Sequence, residues 1–183
     1  MNLEKLNEYW RLVREFMDQF DPALLDPAVE LVRSTYKADR QIFTIGNGGS
    51  AALAVHFVAD FGKNVTKPGE KFPRVLSLCT NTSTLTALGN DCGYEETFAF
   101  QLRNLMNPGD LVIAISSSGN SPNIIRGVKY ARENGAKVIG MSGFDGGQLK
   151  QLADISLHAG VNIYEVVEDI HSIFCHAIVH ANK

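Results

Sequence analysis

The sequence has no apolar run approaching the ~20 residues of a membrane span. Its opening stretch, MNLEKLNEYW, lacks the basic segment followed by an apolar one that marks a signal peptide. There is no basic excess: 17 Lys and Arg against 20 Asp and Glu leave a formal net charge of -3, with a pI near 5.9. Charge therefore gives no case for a nucleic-acid partner or a membrane surface, and no helix-turn-helix pattern precedes residue 40. Cysteine is scarce. Cys79, Cys92 and Cys175 are odd in number and match no zinc spacing, so the expectation is reduced thiols in a cytoplasm. Repeats, low-complexity tracts and Pro/Gly/Ser linkers are also missing. What remains is an ordinary globular balance, 45% apolar and 20% charged. A chain of 183 residues suits one domain over 1–183, burying roughly 70% of its unfolded surface with no need of a disulfide or metal staple.

Residues 2–20 carry Leu3, Leu6, Tyr9, Trp10, Val13, Phe16, Met17 and Phe20 at helical spacing, which predicts an amphipathic helix ended by Asp21-Pro22. A second helix is expected over 27–36, with Asp26 as N-cap and Pro27 at the first helical position. These N-terminal helices, within 1–38, precede any strand, so their apolar faces must pack on the domain or on another chain. From there strands and helices alternate. Strands are predicted at 41–45, 74–78, 111–115, 137–141 and 155–158. Helices are predicted at 50–61, 83–88, 94–106, 122–134, 147–152 and 162–181, with Gly135 ending the fourth of them. Strands separated by helices imply right-handed crossovers and a parallel sheet of about five strands covered on both faces, an α/β fold.

In such sheets ligands bind beyond the carboxyl ends of the strands, and two loops there are unusual. Gly46-Asn47-Gly48-Gly49-Ser50 follows a strand and opens a helix, where glycine permits close backbone approach and the helix start offers free N–H groups. It is neither a Walker loop nor G-x-G-x-x-G, and it reads either as a ligand loop or as a tight turn. Ser116-Ser117-Ser118-Gly119-Asn120-Ser121-Pro122 places four hydroxyls at another helix start. Ser121 alone would satisfy the N-cap; the other serines suit a phosphate met by hydroxyls, amides and the helix end rather than by Lys or Arg. A polar loop at 79–83 and Asn90-Asp91 could line the same crevice. Asp91 reads either as a base or as a cap for the segment near Tyr94.

His56 and Asp60 stand four apart and share a helix face, in a spacing that serves a metal pair or an acid–base pair. The last helix carries Glu168, Asp169, His171, His176 and His180. Glu168 and His176 are separated by ~12 Å of helical rise. They therefore act at different points of an extended substrate, or a neighbouring subunit supplies one of them. His171 and His180 read as structural or surface residues.

The order Gly46-Asn47-Gly48-Gly49-Ser50, His56-Phe57, Gly89-Asn90-Asp91, Ile115 to Ser121 and Ser142-Gly143-Phe144-Asp145-Gly146-Gly147 resembles the phosphoheptose isomerases of the sugar isomerase (SIS) domain family, over residues 28–180. The resemblance implies a flavodoxin-like three-layer fold and a homotetramer with sites at subunit contacts. It also implies isomerisation of sedoheptulose 7-phosphate to a heptose 7-phosphate for lipopolysaccharide or capsule heptose. By the same resemblance, Asn47, Gly48, Gly49, Ser50, Asn90 and Asp91 contact substrate, and Ser116, Ser117, Ser118 and Ser121 hold the phosphate. His56 is a zinc ligand, and His176 is both a ligand and an acid–base group. Two positions depart: the family has Glu, its proposed base, where Asp60 stands, and Gln where Glu168 stands. Asp60 and Glu168 thus join His176 as candidate catalytic groups and join His56 and His176 as candidate metal ligands. A non-catalytic relative that associates with a replication initiator shares the pattern, so the alternative is a module that binds a sugar phosphate or such a protein partner.

Overall fold

The computed structural model describes residues 3–66, 69 and 71–183. The elements run α1 (Leu3–Gln19), α2 (Asp26–Lys37), β1 (Gln41–Gly46), α3 (Gly49–Asn64), β2 (Arg74–Ser77), α4 (Thr82–Asp91), α5 (Thr97–Leu105), β3 (Leu111–Ser116), α6 (Pro122–Glu133), β4 (Lys137–Gly143), α7 (Gly147–Leu152), β5 (Ile155–Ala159) and α8 (Tyr164–Ala181). The five strands pair in parallel in the order β2-β1-β3-β4-β5. This is the flavodoxin-like order, which reverses direction between β1 and β3 and opens a crevice there at the carboxyl edge. Register brings Gly46 beside Ile115, and Ser116 beside Ser142. The loops leaving β1, β3 and β4 therefore start abreast.

The strand alternation divides the core in two. Ile42, Leu111, Ile113, Ile115, Ile139 and Met141 face one way, onto α2, α3 and α8. Phe43, Ile45, Val112, Ala114 and Val138 face the other way, onto α5, α6 and α7. β1 and β3 are covered on both sides, which is why they read as continuous apolar runs rather than alternating ones. Among the helices, α2 buries Ala28, Val29 and Val32. α1 buries no residue fully; it lays Tyr9, Leu12, Val13 and Phe16 partly against the core and leaves Leu3, Leu6, Trp10 and Met17 exposed.

Several local expectations differ. Residue 2, included in the expected first helix, lies outside the described residues. Asp26 is not the N-cap of α2 but its first residue, because a 3-10 turn at Pro22–Leu25 runs directly into the helix; Asp21 caps that turn through Ala23 N–H at 3.0 Å. The expected helix at 94–106 is a 3-10 turn, Tyr94–Glu96, followed by α5. Asp91 closes α4, and Gly93 rather than Asp91 precedes the turn at Tyr94. His171 is structural in a costly way. It is fully buried on α8 with neither ring nitrogen hydrogen-bonded. Burial pulls its pKa down to about 4, offset only in part by the nearby Ser142 backbone.

Candidate active site

The serine turn is built by its neighbours. Gly119 N–H bonds to Ser116 O at 3.0 Å, and Gly119 O accepts from Leu149 N–H at 2.9 Å. Asn120 bridges to α7 by accepting from Gln148 N–H at 3.1 Å, and Gly143 N–H bonds to Ser117 O at 2.8 Å. The glycine-rich motif at 142–147 therefore acts as a brace beneath the serine turn. Ser121 does occupy the N-cap position of α6, but its side chain makes no capping bond. Its Oγ stands 3.3 Å from Ser116 Oγ instead. Ser117 Oγ is buried and unpartnered. Hydroxyls withheld from capping and from the rest of the protein remain available to a ligand.

These groups line a cavity of about 150 Å³ with Asn47, Ser50, Tyr164 and Glu168. Among the described residues no Lys or Arg lines it, so an anion there would be met by hydroxyls and by the positive end of α6. Ser118 contributes partly to the turn itself, its Oγ accepting from Asn120 N–H at 3.2 Å. In the glycine loop, Gly48 has φ 54° and ψ -122°, a conformation other residues avoid. A Cβ at Gly49 would collide with the Glu168 carboxylate, so that carboxylate packs directly on the start of α3. Asn90 and Asp91 are not among the cavity-lining residues. They pair with each other at 2.7 Å on the exposed end of α4.

Farther along α3 and α8, a second group forms. Asp60 Oδ2 lies 3.3 Å from His56 Nε2 and 3.5 Å from His176 Nε2, and the two imidazoles meet edge to face at 5.1 Å. One ligand atom from each of the three falls within 4.8 Å of the others. Two imidazole nitrogens and one carboxylate form a donor set suited to zinc with an open position for substrate. Of the four residues expected at a metal, Glu168 is absent from this cluster. The rise along α8 separates it from His176, and it faces the serine cavity.

Sequence reasoning missed Asn123 and Tyr94. Asn123 and Asn47 exchange side-chain hydrogen bonds, both 2.9 Å, across the crevice between β1 and β3, and the Tyr94 hydroxyl reaches Asn47 Oδ1 at 2.8 Å. The only trace in the sequence was a polar residue, Asn123, inside an apolar helix start.

The SIS domain family model matches residues 7–143. The phosphoheptose isomerase of Aliarcobacter butzleri (strain RM4018) is 42% identical over 154 residues, covering 84% of this chain and 81% of that protein. That of Citrifermentans bemidjiense is 36% identical over 174 residues, covering 95% and 90%. The structure of phosphoheptose isomerase GmhA from Neisseria gonorrhoeae superposes with a TM-score of 0.88 at 33% identity, over 98% of this chain and 95% of that one. On fold, motif order and identity alike, the chain belongs to the SIS domain family and, within it, to the phosphoheptose isomerases.

Proposed function

We propose that this chain interconverts sedoheptulose 7-phosphate and a heptose 7-phosphate, gripping the phosphate in the serine turn and carrying out the chemistry at the carboxylates and His176. The observation that carries the reading is the pairing, at one sheet edge, of a hydroxyl-lined cavity, with no cation among its described lining residues, and a carboxylate in its wall, Glu168. A ligand anchored by its phosphate would place its sugar chain along α3 and α8, toward the His56, Asp60 and His176 cluster.

In the ketose-to-aldose direction a carboxylate, Asp60 or Glu168, takes a proton from C1 while the C2 oxygen gains one, giving an enediol. His176 then moves the oxygen-bound proton off O1 as C2 is protonated, leaving the aldehyde. Positioned acid–base groups of this kind contribute about 10²–10⁴-fold each. His56, Asp60 and His176 are the residues that would hold a zinc ion, which when bound supplies a Lewis acid to polarise the carbonyl. The bare stripe Leu3, Leu6, Trp10 and Met17 on α1 supports assembly into a homotetramer. The free state of all three cysteines is consistent with a cytoplasmic setting.

The test is turnover of sedoheptulose 7-phosphate by the chelated and the zinc-loaded protein. Turnover in at least one state is expected. Absence of turnover on every ketose phosphate, with sugar-phosphate binding retained, would replace the enzyme by the non-catalytic module.

A further inference from the structure

The network between the two ligand loops has a direction, and a backbone group sets it. Ile124 N–H can only donate, and it bonds to Asn123 Oδ1 at 3.0 Å. That fixes which end of the Asn123 amide is oxygen. Its Nδ2 must therefore be the group facing Asn47 Oδ1 at 2.9 Å, with Thr97 Oγ1 at 3.4 Å beside it. Thr97 Oγ1 already donates to Tyr94 O at 2.8 Å, so it is free to accept there. Asn47 is oriented in turn: its Oδ1 accepts from Asn123, and its Nδ2 donates back to Asn123 Oδ1 at 2.9 Å. The Tyr94 hydroxyl, 2.8 Å from the same Asn47 oxygen, can then only donate. Asn47 Oδ1 thus holds two donors, while one N–H of its Nδ2 remains unspent.

Asn123 is 1% exposed and sits at the start of α6, directly after the serine turn. Asn47 belongs to the glycine loop and lines the serine cavity. We infer that Asn123 is a positioning residue that locks the Asn47 side chain as a hydrogen-bond donor toward the sugar, with Tyr94 as the second lock. Asn47 then reads an acceptor oxygen of the bound sugar and rejects the flipped arrangement. This deepens the isomerase reading and rests on it for the substrate.

Asn123→Asp keeps the shape and the acceptor for Ile124 but turns the donor facing Asn47 into a second acceptor; in either orientation the Asn47 amide oxygen then faces a carboxylate oxygen, so the reciprocal pair opens and the lock is lost. Tyr94→Phe removes the second lock from an exposed position, where folding is not at risk. For sedoheptulose 7-phosphate we expect kcat/KM to fall by about tenfold or more in Asn123→Asp and by about threefold in Tyr94→Phe, mostly through KM. Affinity for inorganic phosphate, measured by calorimetry, should stay within about twofold in Tyr94→Phe, which adds no charge and leaves the serine turn untouched, and should fall less than sugar-phosphate kcat/KM in Asn123→Asp, whose new carboxylate stands at the α6 start. If the wild type shows no turnover, the isomerase reading fails. The lock is then judged by binding of the same sugar phosphate relative to inorganic phosphate, where the same loss is expected. Retention of wild-type kcat/KM or sugar-phosphate affinity by folded Asn123→Asp overturns the lock. So does an equal loss of inorganic phosphate binding, which would mean a general collapse of the site. Should Asn123→Asp fail to fold, an unchanged Tyr94→Phe overturns it.

Discussion

The serine cavity and the histidine–aspartate cluster both draw residues from α3 and α8 and are built in opposite ways. In the cavity, Ser116 and Ser117 are buried, and backbone hydrogen bonds from β4 and α7 fix the turn from below. In the cluster, the side chains of His56 and His176 are 52% and 51% exposed, and they meet Asp60 through long side chains in contact with water. Exposed polar contacts of that kind contribute little to stability, and their geometry can adjust when a ligand or a neighbouring subunit arrives. The preorganised half is the one proposed to bind, where geometry must precede the ligand. The adjustable half is the one proposed to transfer protons, where catalytic hydrogen bonds tighten only in the complex.

The sharpest way to break this contrast is to remove a group from the exposed half. Asp60→Asn or His176→Ala should lower kcat by about 10²–10⁴-fold and leave inorganic phosphate affinity within about twofold by calorimetry. A parallel loss of phosphate binding would show that the two halves are one unit.

A second measurement probes α8, which connects them. His171 is neutral in the folded protein because burial lowers its pKa to about 4 from the ordinary 6.5. Between those values the unfolded chain binds the proton and the folded chain does not. Stability is therefore complete above pH 6.5 and declines as pH falls toward 4, by roughly 3 kcal/mol for a shift of this size. His171→Leu should flatten that part of the profile in urea unfolding from pH 7 to 4. An unchanged slope would mean that other groups set the acid limit.

The smallest effect belongs to the buried half. Ser117→Ala should raise KM for the sugar phosphate about tenfold, the cost of one hydrogen bond to a charged group. It should leave Tm unchanged or slightly higher, since the hydroxyl it removes is buried without a partner. A clear fall in Tm would show that this hydroxyl is already used in the free protein.

Much of this was legible from residue order. β1 and β3 are apolar runs with no alternation, and that composition announces strands covered on both faces. The loop after β3 was equally readable, because its serines exceed what a cap requires, whereas the glycine loop after β1 read either as a ligand loop or as a tight turn. The errors came where two local rules compete. Asp26 carries capping chemistry, yet a preceding 3-10 turn absorbed it into its helix. Asp91 failed as a cap because α4 continued one residue past Asn90, leaving Gly93 to start the next turn. Asn123 was invisible because its partner lies 76 residues away.

By itself the sequence determined the strand count, the parallel alternation, the position of the two candidate loops and the family, because each rests on short-range pattern or chain chemistry. Only the tertiary structure decided that His56, Asp60 and His176 converge while Glu168 faces the serine cavity. It alone locked Asn47 to Asn123. The reason is geometric: helix pitch says which residues share a face, but packing α3 against α8 and closing β1 beside β3 sets which faces meet.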